Sequence, residues 1–538
     1  MDIVSNPRHF GALRSLLPDG IPQSSIIMIS GSPGVGKTTL ASQIMFELPE
    51  ELPCLWFSTF SESQNLLLSH LKKFEFFDQA KAGHNIDLGS VFMEGNKTFA
   101  EIFEMIEKSV EQYDAKVVFI DSYKQIAQWA NASKEGFRMI SSLPAYFAMR
   151  GITTFLLGEY ADDEIVRDDI FGLVDGIIHL KNIPEGFRRE RYIEIIKMRG
   201  VDTNSGLHPA RITKKGYQIF PREQRSKVQE VSRERVGTGR AELDKMLDGG
   251  LFRFSHTILR GPSGTGKTIL GMHFLNEGIQ QGENVLFYAT EQWEEEILST
   301  ADSLGLYFTQ AVENGLLTVA SPAHADASYE EILVDIKKII KEKKVNRIFI
   351  DSLSALQKEE HEERFQNFLG ALQSFTKQMG VPVLSSIQSE EMTSIQSASD
   401  LSVSSVIDAI ILLKYVELKG EMHRGMMVLK IRGSDHDKGI HQYQIKSNGF
   451  TIGSRFSGVE GLVTGNIQHV GPSTEMRIRD LLIELMGVIG DKVYLELEEM
   501  NFNLTRIDQY FDEIIKEKIM SPDEGEQCKI SLHSILKK

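Results

Sequence analysis

Short apolar runs, bounded by polar or glycine-containing turns, alternate along the chain with stretches of helical period. In the first half the runs are Ser25–Ser30, Leu55–Phe60, Val117–Ile120, Thr153–Leu157, Ile177–Leu180 and Tyr192–Ile196, with a helix expected from Phe99 to Glu111. In the second half Ser255–Arg260 reads as a buried strand, Thr268–Leu275 as a helix, and Asn284–Thr290 as the next strand. Strands alternating with helices imply an α/β fold with doubly wound, mainly parallel sheets. Beyond residue 470 the pattern changes. Ile478, Leu481, Leu482, Leu485 and Ile489 have helical spacing, as do Leu504, Ile507, Phe511, Ile514 and Ile515, whereas Cys528–Leu532 reads as a strand. A small additional module is expected there, helical or winged-helix-like.

The connection between the strand Ser255–Arg260 and the helix after it is Gly261-Pro262-Ser263-Gly264-Thr265-Gly266-Lys267-Thr268, which fits the phosphate-binding P-loop pattern G-x-x-x-x-G-K-[ST]. Glycines let backbone N–H groups surround a phosphate, and the helix N-terminus adds partial positive charge. Lys267 is the candidate for neutralising the β/γ-phosphates and the Thr268 hydroxyl for ligating Mg²⁺. The same device occurs earlier as Gly31-Ser32-Pro33-Gly34-Val35-Gly36-Lys37-Thr38. Val117–Ser122 recurs as Arg347–Ser352, Ile196–Gly200 as Leu429–Gly433, and Leu16–Ile21 as Met246–Leu251. Two P-loops with three further features in step mean a tandem duplication. The expected layout is a first domain over 1–224, a linker over 225–236, a second domain over 237–470 and an extension over 471–538. The polar stretch Arg222–Glu230 marks the junction.

Each repeat supplies acids where a nucleotide site needs them. Asp121 and Asp351 end apolar strands and are candidates to reach Mg²⁺. Glu62 and Glu291 follow the second strand of their repeats, where a carboxylate can orient a nucleophile.

Composition narrows the classes. Hydrophobic content of 41% and charged content of 25% suit a globular protein. No apolar run is long enough to cross a membrane. Residues Met1–Pro7 lack a basic stretch followed by an apolar one, so no secretory signal is expected. Two widely separated cysteines, Cys54 and Cys528, argue for a reducing compartment, hence the cytoplasm, and against a structural zinc site. A net charge of −16 makes general nucleic-acid binding an unlikely trade for this chain.

From Gly237 to Gly458 the chain resembles the second ATPase domain of the circadian clock protein KaiC family. The residues that carry the resemblance are Ile407–Glu417, Gly420-Glu421-Met422 and Lys430–Lys438, and the first repeat is similar to the family's first domain. The resemblance covers roughly residues 1–465. It implies two RecA-like domains assembled as a hexameric double ring, with ATP and Mg²⁺ at each subunit interface and a strand reaching across from the neighbour. By motif match the cations on that strand are Lys197 and Arg199 in the first domain, and Arg424, Lys430 and Arg432, with His436 and Lys438, in the second. The P-loop residues implied to hold ATP are Ser32–Thr38 and Ser263–Thr268. The resemblance further implies a first-domain ATPase and a second domain that autophosphorylates on an adjacent pair matching Ser404-Ser405, with Glu291 as general base and Lys37 and Lys267 as catalytic cations. Glu62 is the one acid at the corresponding place in the first domain, flanked by Ser61 and Ser63. A KaiB-like partner is compatible with this reading. The extension 471–538 departs from the family's usual tail, which speaks against a KaiA-type partner.

Two other readings compete: a nucleotide-gated assembly scaffold without phosphotransfer, and a RecA- or helicase-like DNA motor. A motor calls for basic channel loops, yet Ser385–Ser405 contains Glu390, Glu391 and Asp400 and no lysine or arginine. The extension carries nine Lys and Arg against fourteen Asp and Glu, which disfavours duplex binding there. It is either a small packed domain or a docking or oligomerisation element.

Overall fold

The computed structural model describes residues 11–58, 64–84, 86–90, 99–130, 134–185, 188–222, 233–324, 326–357, 362–389, 406–418, 421–446, 449–456, 459–460, 468–469, 474–500, 502–517 and 520–536. The chain divides into two compact units, one of the residues up to Gln224 with Glu330–Val334 and one of the rest from Arg225 onward.

The first unit is built on strands β1 (Ile26–Gly31), β2 (Cys54–Ser58), β3 (Ile86–Ser90), β4 (Val117–Asp121), β5 (Thr153–Gly158), β6 (Gly176–Glu185), β7 (Arg188–Met198), β8 (His208–Thr213) and β9 (Gly216–Ile219). Their order in the sheet is β3-β2-β4-β5-β1-β6-β7-β8-β9. Pairing is parallel from β3 through β6 and antiparallel from β6 to β9. All six residues of β1 are buried, which is why this strand reads as an unbroken apolar run rather than an alternating one.

The second unit repeats the plan with β10 (His256–Gly261), β11 (Val285–Ala289), β12 (Leu317–Ala320), β13 (Arg347–Asp351), β14 (Val383–Gln388), β15 (Ala409–Leu418), β16 (Glu421–Ile431), β17 (His441–Lys446) and β18 (Gly449–Arg455). Each strand occupies the place of the one numbered nine lower. Even the irregularities match: a register shift falls between Ile177 and Ile178 and again between Ile410 and Ile411. The peptides Asp121–Ser122 and Asp351–Ser352 are both cis. The duplication inferred from sequence is thus a duplication of topology, with two doubly wound, mainly parallel sheets.

In each unit a helix springs from the P-loop: α1 (Lys37–Glu47) and α2 (Lys267–Gln280). Gly36 and Gly266 precede them with φ of 107° and 88°. A side chain at Gly266 would also collide with Ile445, whose Cδ1 lies 2.5 Å from the position of a Cβ. Only glycine serves there, on conformational and on steric grounds. Helix Phe99–Gln112 agrees with the expected one.

The extension is helical: α3 (Thr474–Met486), α4 (Val488–Glu499), α5 (Leu504–Lys516) and α6 (Pro522–Leu536). They share a core of Ile478, Leu482, Val493, Leu497, Ile507, Phe511, Cys528 and Leu532. Cys528–Leu532, expected as a strand, lies inside α6, so among the described residues the module is a helical one and the winged-helix alternative loses the strand it rested on. No helix among the described residues is long and apolar enough to cross a membrane.

Candidate nucleotide sites

Parallel strands deliver their C-terminal ends to one edge of each sheet, and that edge collects the expected site residues. In the second unit, β10 ends in the P-loop, β11 leads to Glu291, β13 ends in Asp351 and β14 ends in Gln388. Ser263, Gly264, Gly266, Lys267, Thr268, Glu291, Gln292, Asp351, Ser352 and Gln388 line one cleft of about 330 Å³, together with Ile269 and Ile445.

Lys267 Nζ donates to the carbonyls of Gly261 and Pro262, each at 2.8 Å, which curls the ammonium over the loop. Burial lowers the pKa of this lysine, and the charges of Asp351 and Glu291 oppose that shift. The Thr268 hydroxyl donates to Asp351 Oδ2 at 2.5 Å. Ser386 donates to the other oxygen, Oδ1. Asp351 is therefore fixed from two sides. Glu291 is held by the Ser352 hydroxyl, which donates to its Oε2 at 3.1 Å. Ser352 is in turn stitched to the end of β11: its N–H donates to Thr290 Oγ1 at 2.7 Å, and that hydroxyl donates to the Ser352 carbonyl at 2.8 Å.

The first unit has the same core arrangement. Lys37 Nζ donates to the carbonyls of Gly31 and Ser32 at 3.1 and 3.0 Å. The Thr38 hydroxyl donates to Asp121 Oδ2 at 2.8 Å. Burial again lowers the lysine pKa, opposed by the charges of Glu159 and then Asp121. Glu62 lies outside the described residues, as do Ser404 and Ser405.

ATP with Mg²⁺ fits this donor set. The glycine-rich loop at a helix N-terminus offers N–H groups to phosphate oxygens, the lysine offers charge, and the Thr–Asp pair offers oxygens to a hard cation. Bound there, the nucleotide supplies a transferable γ-phosphoryl group.

In the second unit none of Arg424, Lys430, Arg432, His436 and Lys438 is among the residues lining the cleft, although Tyr415, on which Arg424 stacks, donates its hydroxyl to the P-loop carbonyl of Ser263 at 3.4 Å. Lys430 and Arg424 are on β16, two strands from β10. Lys430 Nζ donates to the Ile407 carbonyl at 3.3 Å, and Arg432 N–H donates to the Asp408 carbonyl at 2.8 Å. Arg424 stacks over the Tyr415 ring, 5.6 Å from its centroid. His436 and Lys438 belong to the turn after β16, where the His436 N–H donates to Asp435 Oδ1 at 2.9 Å and Lys438 pairs with Asp435 at 3.9 Å. In the first unit Lys197 Nζ donates to the carbonyls of Val174 and Phe171 at 2.7 and 3.2 Å, and Arg199 pairs with Asp175 at 3.3 Å.

Ser352, Ser386 and Gln388 were not among the expected site residues. The repeated Asp-Ser pair at 121–122 and 351–352 was a signal for the first of them. Ser386 had none, because a serine inside an apolar strand looks like any buried hydroxyl.

The model of the KaiC ATPase family matches residues 11–224 and again 236–456. The chain belongs to the KaiC family. It is 33% identical to the circadian clock oscillator protein KaiC of Picosynechococcus sp., over 89% of this chain and 94% of that protein. It is 33% identical to the circadian clock oscillator protein KaiC 1 of Synechocystis sp., over 83% of this chain and 88% of that one. The circadian clock protein KaiC3 of Synechocystis sp. is 32% identical, over 86% of this chain and 95% of its own length. The two matched segments are the two units that carry the P-loops, so this chain has two KaiC-type ATPase domains in tandem.

Proposed function

We propose that this KaiC-family protein binds and hydrolyses ATP with Mg²⁺ in its first domain and autophosphorylates on Ser404 and Ser405 in its second. It would act as a phosphorylation-dependent timing or signalling hub. The observation that carries this reading is the second-domain cleft, where Lys267, the Thr268–Asp351 pair and Glu291 line one space and Glu291 is held by Ser352. A carboxylate fixed beside a P-loop can accept the proton of an attacking hydroxyl or water.

Lys37 and Lys267 neutralise phosphate, Thr38 with Asp121 and Thr268 with Asp351 hold the metal, and Glu62 serves the first site as Glu291 serves the second. Residues 32–38 and 263–268 cradle the phosphates. Lys197 and Arg199, and Arg424, Lys430, Arg432, His436 and Lys438, are assigned to the nucleotide of a neighbouring subunit. The place of Lys430, two strands from β10 with its ammonium toward the Ile407 carbonyl, supports that assignment, whereas Arg424 stacks on Tyr415 beside the P-loop of its own chain. The assignment calls for a closed homo-oligomer, which we take as a hexameric double ring or a higher assembly of it. A KaiB-like partner fits this reading, and the departure of the extension from the family's usual tail speaks against a KaiA-type one. The domain limits that go with it are 1–224, 237–470 and 471–538, with the linker at 225–236. A cytoplasmic location accords with two buried free cysteines.

Incubation of the full chain with ATP and Mg²⁺, followed by phosphopeptide mapping, tests the proposal. Label on the peptide containing Ser404 and Ser405 is expected, and Ser404→Ala with Ser405→Ala should remove it. ATP consumed with no protein-bound phosphate would instead favour a nucleotide-gated scaffold.

A further inference from the structure

The two nucleotide sites differ at one position beside the P-loop. In the second unit the β10–β14 register sets Gln388 next to Gly261, the first P-loop glycine. In the first unit the β1–β5 register runs to Ser30 opposite Gly158. Glu159 follows Gly158 as Gln388 follows Ile387, the partner of Arg260, and so holds the corresponding place in the first unit. In both P-loops the first glycine accepts a hydrogen bond from the lysine, Gly31 from Lys37 at 3.1 Å and Gly261 from Lys267 at 2.8 Å. The position therefore lies at the lysine end of each site, where the terminal phosphate belongs.

Two observations connect this position with the site. Gln388 lines the second-domain cleft with Lys267 and Glu291. The Glu159 carboxylate acts on the Lys37 ammonium more strongly than Asp121 does. The nearby Lys124 ammonium is directed elsewhere, to the Glu159 backbone carbonyl at 2.5 Å and to Glu164 at 2.6 Å.

The chemical difference is one of kind. An amide donates N–H groups, whereas an ionised carboxylate only accepts. A γ-phosphate is anionic and offers only acceptor oxygens at neutral pH. We propose that this position sets how each domain discriminates ATP from ADP: Gln388 donates to the γ-phosphate and favours ATP, whereas Glu159 repels it and leaves the first domain nearly indifferent between the two nucleotides. The inference rests on the ATP-binding reading above and adds a specificity-determining pair to it. A first domain that does not favour ATP over its product responds to the ATP-to-ADP ratio, whereas the second stays charged with ATP.

The test uses full-length chains in which one site is silenced, Lys267→Ala to read the first and Lys37→Ala to read the second. Affinities for ATPγS and for ADP, both with Mg²⁺, are measured by equilibrium dialysis. The preference for ATPγS over ADP should be near one at the first site and about tenfold or more at the second, the scale expected of one charge contact in a partly buried site. Glu159→Gln should raise the first-site preference about tenfold, and Gln388→Glu should lower that of the second by a similar factor. Glu159→Asp, which keeps the charge, should leave the preference near one, while a merely structural defect would weaken both nucleotides alike. Unchanged preferences in both exchanged variants, with binding intact, would overturn the inference. Failure of both parent chains to bind ATPγS would overturn the ATP reading itself, and this inference with it.

Discussion

Among the described residues Glu291 is held by the Ser352 hydroxyl, which donates to its Oε2 at 3.1 Å. Glutamine keeps an acceptor oxygen for that contact and loses only the capacity to take a proton. Glu291→Gln should therefore slow phosphoryl transfer by about 10² to 10⁴ while nucleotide binding persists, as read by labelling rate and by equilibrium binding in parallel. Undiminished labelling would remove Glu291 as the base. Buried histidines set a second expectation. Burial pushes the pKa of His256 down to about 4, and that of His273 likewise, with the Arg240 charge adding to the latter. Both rings are held as acceptors or neutral partners: His256 Nε2 pairs with the Ser385 hydroxyl at 2.8 Å, and His273 Nε2 accepts from the Phe450 N–H at 3.3 Å. Because the folded pKa lies below the unfolded value near 6.5, the stabilisation is complete above that value. It is lost as pH falls from there toward about 4, at about 2 kcal/mol for each ring by pH 5. Urea midpoints should drop between pH 7.5 and pH 5, and drop less in His273→Gln than in the parent. An equal drop would exclude this titration as a cause. The P-loop lysines, the Thr–Asp pairs and Glu291 were legible in the sequence because their chemistry demands fixed types at fixed spacing. The histidines were not, because only burial gives them their role.

Strand entry into the sheet is governed by one acid per unit. Asp408, just ahead of β15, accepts from the His256 N–H at 2.9 Å and from Gln373 Nε2 at 3.0 Å with Oδ2, and from Lys377 Nζ at 2.8 Å with Oδ1. Its counterpart Asp175 accepts from the Ile26 N–H at 3.1 Å and pairs with Arg199. The same register anchor thus has different cation partners, a helix lysine in the second unit and, in the first, an arginine in the turn just after β7. Asp408→Ala leaves Lys377 and a strand-end N–H without their acceptor and should cost about 3 kcal/mol in urea denaturation. Pairing it with Lys377→Met should recover part of that loss; additive losses would show that the ion pair is not the source. Ser25–Ser30 and Ser255–Arg260 could be read as strands from their apolar runs, but α6 could not be read from its own pattern. Cys528–Leu532 alternates apolar and polar residues over five positions, which imitates a strand. The decisive signal lay upstream. Ser521 and Glu524 form reciprocal bonds, the Ser521 N–H donating to Glu524 Oε2 at 3.1 Å and the Glu524 N–H to Ser521 Oγ at 3.3 Å. With Pro522 as the first helical residue, this is a helix start. Cys528 and Leu532, four apart, then fall on one buried face.

At the scale of the whole molecule, the P-loop lysine and the strand lysine of each unit lie at different places in the sheet. Lys267 lies in the cleft, whereas Lys430 is on β16, two strands away from β10, or roughly 10 Å across the sheet, with its ammonium toward the Ile407 carbonyl at 3.3 Å. The first unit repeats this separation, with Lys197 on β7 bound to the Val174 carbonyl at 2.7 Å. Sequence could identify these cations by motif, but not their place in the sheet; the strand order sets Lys430 and Lys197 two strands from the P-loop strand of their own unit. If they complete the site of a neighbour, nucleotide binds the assembled form more tightly than the single chain, and association becomes linked to ligand. At a nucleotide concentration of 100 times Kd the linkage is worth about 2.7 kcal/mol per site. Light scattering of the full chain should therefore show growth from small species to a closed oligomer on addition of ATPγS and Mg²⁺. Lys430→Ala with Arg432→Ala should raise the nucleotide concentration needed for that growth while leaving each domain folded by circular dichroism. A chain that stays monomeric at saturating nucleotide would end the shared-site model, whereas one that assembles equally well without those cations would confine them to a role within their own subunit.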